Sequence, residues 1–156
     1  MEGSEIRLLM IYLISLIVFL LDFGTKFWAM RALVPHEPAP VFPCFNLYLT
    51  FNRGVSFSML SAQSATGVWT LIGLTGAISA LIIYFIQKEK ELLTRVGLAF
   101  VLGGAVGNLV DRLRFGSVVD FLDFYWQNYH WPAFNIADSA ICIGAVLILF
   151  QYIRRK

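Results

Sequence analysis

Asp120 and Asp138 are the residues of this chain best suited to acid–base chemistry. Asp120 lies in the apolar run SVVDFLDF and Asp138 in FNIADSAI, and neither has a basic neighbour. Asp22 and Asp111 differ: Lys26 stands i,i+4 to the first, and Arg112 follows the second. A carboxylate held against a cation stays ionised and shuttles protons poorly. Two unpaired carboxylates brought together in a low-dielectric place share a proton and titrate as a pair. One can then activate water while the other protonates a carbonyl oxygen, as in aspartic proteases. No Ser or Cys is matched with a His at membrane depth, so no rival nucleophile–base set competes.

Each acid also has a plainer reading. Asp22 with Lys26 can anchor helix packing through an i,i+4 pair, and Asp111 with Arg112 can give similar support. Asn135, after Trp131-Pro132, can cap a helix whose positive end then accommodates Asp138 three residues on. Asn108 stands i,i+3 to Asp111 and i,i+4 to Arg112, so the three can share a helix face. Asp123 follows Asp120 closely. Extended, it is expected on the face of Asp120; in a helix it would stand i,i+3, and both remain open.

The elements that must position these groups are membrane spans. The chain has 156 residues, 58% hydrophobic and 14% charged, with mean hydropathy +0.72. Soluble domains carry about 25% charged residues, so this composition cannot coat a water-soluble globule. The expected fold is an integral membrane protein, mainly α, with four transmembrane helices over about 8–30, 67–86, 96–112 and 134–153 in one domain. A span needs roughly 20 apolar residues. The first apolar run, LLMIYLISLIVFLL, has one preceding basic residue, Arg7, against Glu2 and Glu5, and lacks a small-residue cleavage site. It reads as an uncleaved span.

Between the first two spans, Pro35, Pro38, Pro40 and Pro43 exclude helix. NLYLTFN (46–52) alternates and is β-prone, Asn52-Arg53-Gly54 signals a turn, and VSFSML is apolar enough to lie on the membrane surface. The third span is rich in glycine (Gly97, Gly103, Gly104, Gly107), which lets helices approach closely. Trp28, Trp69, Tyr84, Trp126 and Trp131 near span ends suit an interfacial belt. Cys44 and Cys142 fall in a loop and a span, an unpromising placement for a disulfide, and His36 and His130 are too scattered for zinc. The net charge of +2 gives no reason to expect nucleic acid as a partner.

Basic residues set the orientation. Arg7, Lys88, Lys90, Arg95, Arg154, Arg155 and Lys156 collect on the side of the termini, outweighing Arg31, Arg53, Arg112 and Arg114 on the longer loops. By the positive-inside rule the termini are cytoplasmic and the long loops face outward. Asp22, Lys26, Asn108, Asp111, Arg112, Asn135 and Asp138 then all fall at the outer ends of spans, with Asn52 and Asp120 in the outer loops. Ionisable groups in membranes mark function. A proton-coupled carrier would spread them through the membrane thickness and show internal repeats; a scaffold would have no reason to gather them. One outward-facing site fits better than either.

The residues also match a known family. The chain resembles bacterial lipoprotein signal peptidase (signal peptidase II) along essentially its whole length. The matching pieces are D-x-x-x-K at Asp22–Lys26, N-x-G at Asn52–Gly54, G-N-x-x-D-R at Gly107–Arg112, V-V-D-F at Val118–Phe121 and F-N-x-A-D at Phe134–Asp138. Singly they are weak; in this order on four spans they are specific. The resemblance implies a four-helix aspartic peptidase of the bacterial cytoplasmic membrane that cuts prolipoproteins before a diacylglyceryl-modified cysteine. It implies Asp120 and Asp138 as the catalytic pair, supported by Asn52, Gly54, Asn108, Arg112 and Asn135. Asp22, Lys26 and Asp111 become structural polar residues. It further implies a small extracytoplasmic sheet around 46–52 that cradles the substrate, a mobile element of the second loop over the site, and no metal or cofactor. The expected partners are lipid-modified precursors and membrane lipids, with the enzyme a monomer.

Overall fold

The computed structural model describes residues 2–54 and 65–155, so the VSFSML run lies outside the described residues. In chain order the elements are α1 (Glu2–Ala32), β1 (Pro38–Phe42), β2 (Phe45–Asn52), α2 (Ala65–Lys88), α3 (Leu92–Phe115), β3 (Val118–Trp126), β4 (Tyr129–His130) and α4 (Ile136–Arg154). The helices have mean hydropathies of 2.4, 2.0, 1.6 and 2.0, each long and apolar enough to cross a membrane. Leu9, Leu20, Trp69, Leu81 and Val146 are exposed on them, as expected for helices whose outer faces meet lipid rather than water. The protein is a four-helix integral membrane protein with a small antiparallel sheet.

The least hydropathic helix, α3, is the central one and packs against α1, α2 and α4. Association between helices in lipid depends on close packing rather than on the hydrophobic effect. A Cβ added to Gly97 would stand 2.8 Å from the Gly144 carbonyl oxygen, so α3 and α4 meet backbone to backbone there. Away from the sheet, Ile11 of α1, Ile82 and Ile86 of α2, and Ala99 and Leu102 of α3 form the apolar core.

Helix ends run further than expected. The spans expected over 67–86 and 96–112 leave 87–95 as connector, yet α2 continues to Lys88 and α3 starts at Leu92, leaving 89–91 between them. At its other end α3 passes Arg112 to Phe115. It is stopped by Gly116, whose φ of 68° is a left-handed cap with its N–H bonded to the Arg112 carbonyl, a conformation glycine adopts cheaply.

The strands pair in the order β1-β2-β3-β4. The proline segment, where helix is excluded, holds a strand: Pro38–Phe42 pairs antiparallel with β2 at the sheet edge. Proline is tolerated there because an edge strand can do without its missing donors. β2 faces β3, with Asn46 opposite Asp123 and Thr50 opposite Asp120, and an irregularity in β2 between Leu47 and Thr50. Asp123 is therefore in extended chain, but it does not share Asp120's surroundings. Three positions along a strand reverse the side, and the two carboxylates have separate partners. After β4 the chain returns along β3, where Leu122 and Phe134 bridge and the Phe121 and Leu122 N–H groups donate to the Phe134 carbonyl. This return delivers Asn135 to the mouth of α4.

Candidate active site

Lys26 anchors a buried polar cluster at the end of the bundle that carries the sheet. Its side chain is only 2% exposed, and its ammonium lies 2.7 Å from Asp22 Oδ2 and 2.9 Å from Asp111 Oδ2. It also donates to Asn108 Oδ1 at 3.0 Å. A buried ammonium is tolerable only when paired and fully hydrogen-bonded, and here its three contacts tie α1 to α3. The Asp22–Lys26 pair expected from spacing is present. Asp111 is paired differently: its ion partner is Lys26, while Arg112 Nη1 donates to the Asn108 carbonyl at 3.3 Å. Consecutive helical residues point about 100° apart, so neighbours in sequence do not face one another.

The two acids that meet Lys26 also hold backbone, Asp22 through its other oxygen and Asp111 through the same one. Asp22 Oδ1 accepts the Ala137 N–H at 2.8 Å, and Asp111 Oδ2 accepts the Val119 N–H at 3.1 Å. Asp22 thus caps the second position of α4 across 115 residues of sequence, satisfying a free N–H of the first turn. Asn135 caps the same helix from its own end, its Oδ1 accepting the Asp138 N–H at 2.8 Å. The close approach of α1 to α3 needs Gly107, since a Cβ there would collide with the Asp22 carboxylate.

Upon this base stand Asp120 and Asp138. Asp120, 1% exposed, accepts from Asn135 Nδ2 at 2.7 Å and from Asn52 Nδ2 at 3.0 Å. Asn52 lies two positions beyond Thr50, diagonal to Asp120 across the β2–β3 pair. Its Oδ1 accepts the Gly54 N–H at 2.9 Å, and Gly54 has φ of 80°, closing a turn that a Cβ would strain. Asp138, half-buried, accepts from Asn108 Nδ2 at 2.8 Å. Asn135 Nδ2 also lies 3.2 Å from Asn108 Oδ1. The two asparagines therefore link the carboxylates: Asn135 reaches Asp120 with its amide nitrogen and the Asp138 backbone with its oxygen.

Among the described residues neither Asp120 nor Asp138 forms an ion pair. Burial pushes the Asp120 carboxyl up to about 7, with the nearby Asp138 charge adding to the rise and the Asn52 and Asn135 amides opposing it. Arg112 carries its charge within electrostatic reach of both acids. A cleft of about 600 Å³ opens over Asp120, lined by Thr50, Asn52, Arg53, Pro132 and Ala133. The arrangement can hold one acid protonated beside one ionised, the requirement for activating water without another nucleophile.

Asp123 stands apart. It accepts from Asn46 Nδ2 at 3.0 Å, and His130 Nδ1 lies 3.0 Å from each of its oxygens. His130 was missed as a partner because the sequence shows it only as a lone loop histidine. The signal that could have found it is the tight β3–β4 hairpin, which sets Tyr125 opposite His130.

Two carboxylates without an ion partner on a four-helix membrane scaffold are compatible with a membrane-embedded aspartic peptidase, and comparison with known proteins identifies the family. The family model for signal peptidase (SPase) II matches residues 14–154. A lipoprotein signal peptidase of Polynucleobacter necessarius is 44% identical, covering 98% of this chain and 94% of that protein. One from Vibrio parahaemolyticus is 40% identical, covering 92% and 87%. A bacterial membrane enzyme solved in meso at 1.9 Å superposes with a TM-score of 0.84 at 29% identity, covering 94% of each chain. The chain belongs to the signal peptidase II family.

Proposed function

We propose that this peptidase removes signal peptides from prolipoproteins, cutting before a diacylglyceryl-modified cysteine, with Asp120 and Asp138 as its catalytic pair. The observation that carries the pair is their difference from every other buried acid at the site. Asp22 and Asp111 are neutralised by Lys26, whereas among the described residues the carboxylates of Asp120 and Asp138 accept from asparagine amides alone. Asp120, buried and with its carboxyl held near neutrality, is the protonated member. Asp138, half-buried at the third position of α4, is the member that takes the proton from water.

The substrate helix enters sideways from the bilayer and presents its scissile carbonyl to the pair. Ionised Asp138 takes a proton from water as the oxygen attacks the carbonyl carbon. Asp120 gives its proton to the carbonyl oxygen as the tetrahedral intermediate forms. Collapse of that intermediate breaks the C–N bond. The proton held by Asp138 passes to the leaving amine, and the hydroxyl proton returns to Asp120. Asn52, Asn108 and Asn135 orient the carboxylates, Arg112 adds positive potential, and Gly54 closes the turn that aims Asn52.

The distribution of basic residues supports cytoplasmic termini and a site at the outer face of the inner membrane. Bilayer lipids surround the bundle, and the enzyme works as a monomer and as a single domain. Purified wild type should cut a diacylglyceryl-modified precursor and leave its unlipidated form intact. Asp120→Asn and Asp138→Asn should each lose about a thousandfold or more, the scale of general acid–base catalysis, while remaining folded. Near-normal cleavage by either folded variant would overturn the assignment of the pair.

A further inference from the structure

A cavity of about 530 Å³ opens at the end of the bundle opposite the sheet, where α2 ends, α3 begins and α4 runs out. The reaction above makes no use of it. Its lip is charged: Lys88 closes α2, Glu89, Lys90 and Glu91 form the connector, and Arg155 lies just past α4. Deeper in the spans its wall is apolar, with Phe85, 53% exposed, and Leu98.

The charges at the lip are unevenly satisfied. Arg155 Nη2 lies 3.1 Å from Glu91 Oε1 and 3.5 Å from Glu89 Oε1. Glu89 Oε1 also accepts the Lys90 and Glu91 N–H groups at 2.7 and 2.9 Å, and Gln151 Nε2 donates to Glu91 Oε2 at 3.2 Å. Both acids are thus turned to their own loop and to the end of α4. Glu91 stands at the N-cap of α3 yet makes no side-chain bond to that helix, which leaves the first-turn N–H groups without that cap. Among the described residues Lys88 and Lys90 form no ion pair. Lys88 Nζ stands over the Tyr84 ring at 5.8 Å.

We propose that this cavity holds the headgroup phosphate of an anionic glycerophospholipid, with Lys88 and Lys90 as its cations and Phe85 and Leu98 against the start of its acyl chains. Position selects the occupant. Lys88, Leu92 and Arg154 are the terminal residues of three candidate spans, so the lip lies at headgroup level and the wall below it at the level of hydrocarbon. A lipid meets both; a free phosphate meets only the lip. Lysine serves phosphate as a point charge, and basic pockets between spanning helices take anionic headgroups. The site needs only the four spans and is independent of the proteolytic reading.

Native mass spectrometry of the purified full chain in neutral detergent tests it, with phosphatidylglycerol and phosphatidylcholine of identical chains and with glycerol phosphate as competitor. Lysines near a membrane surface strengthen anionic-lipid binding about fivefold each, so phosphatidylglycerol should be held about twenty-five-fold more tightly than phosphatidylcholine. Lys88→Gln and Lys90→Gln in one chain should remove that preference. Arg7→Gln with Arg154→Gln takes the same charge from the same end of the bundle, outside the cavity, and should keep it. All four residues are exposed, so both variants should unfold at the wild-type midpoint. Glycerol phosphate at matched concentration should leave the bound lipid in place. Equal retention of the two lipids, an equal loss in the two double variants, or displacement by glycerol phosphate would each overturn the lipid site.

Discussion

At the scale of single residues, Asp120 carries the sharpest expectation. Its carboxyl ionises near 7 in the folded protein against an ordinary value of 3.8, so the folded state holds a proton that the unfolded chain releases. The associated stabilisation is complete below about 3.8 and is lost as pH rises through about 7. Thermal midpoints in detergent should therefore fall across that window in wild type, and Asp120→Asn should flatten the slope. With Asp120 in the proposed role of proton donor, activity should share this alkaline limb, kcat/KM dropping as pH passes about 7. A limb displaced to pH 9 would assign the protonated role elsewhere. Lys26 supports a different prediction. Lys26→Met leaves two buried carboxylates without their cation, and breaking such a group costs about 3–5 kcal/mol. Unfolding of the variant should come much earlier, and lowering the pH, which neutralises the abandoned acids, should restore part of the loss.

At the scale of elements, the glycines divide into those that hold helices together and those that do not. Gly107→Ala should disrupt folding and activity together, since its methyl would occupy the place of the Asp22 carboxylate. Gly76→Ala in α2 meets nothing within 4 Å and should be neutral or stabilising by about 0.5–1 kcal/mol. A neutral Gly107→Ala in an unfolding assay would show that α1 and α3 separate at little cost. Much of this scale was legible in the sequence. Long apolar runs mark the helices, and the i,i+4 spacing of Asp22 and Lys26 marks their pair. Asp111 was paired with Arg112 instead of Lys26 because the true partner lies on another helix. Strand β1 was hidden because proline usually denies a strand, and only its position at the sheet edge removes the objection. The Ala137 cap left no trace at all: the donor is a backbone N–H, which no residue type advertises.

The whole molecule separates its chemistry from its packing. The apolar core of α1, α2 and α3 lies apart from the ion and amide cluster at the sheet end. That segregation was readable from the gathering of polar residues at one end of the spans. What was not readable is how the sheet completes the site, because Asn52 reaches Asp120 through strand register. Orientation can be checked with single cysteines in a cysteine-free background. Gln127→Cys should react with an impermeant maleimide added to spheroplasts, and Lys90→Cys should react only after lysis. The capping of α4 by Asp22 also bears on biosynthesis. During translation α1 enters the bilayer first, its acid and its lysine already neutralising each other one turn apart. The N–H that Asp22 receives belongs to α4, which emerges after α1, α2 and α3. A nascent chain halted after α3 therefore has an unfinished carboxylate, and the proposed site is complete only once α4 has inserted.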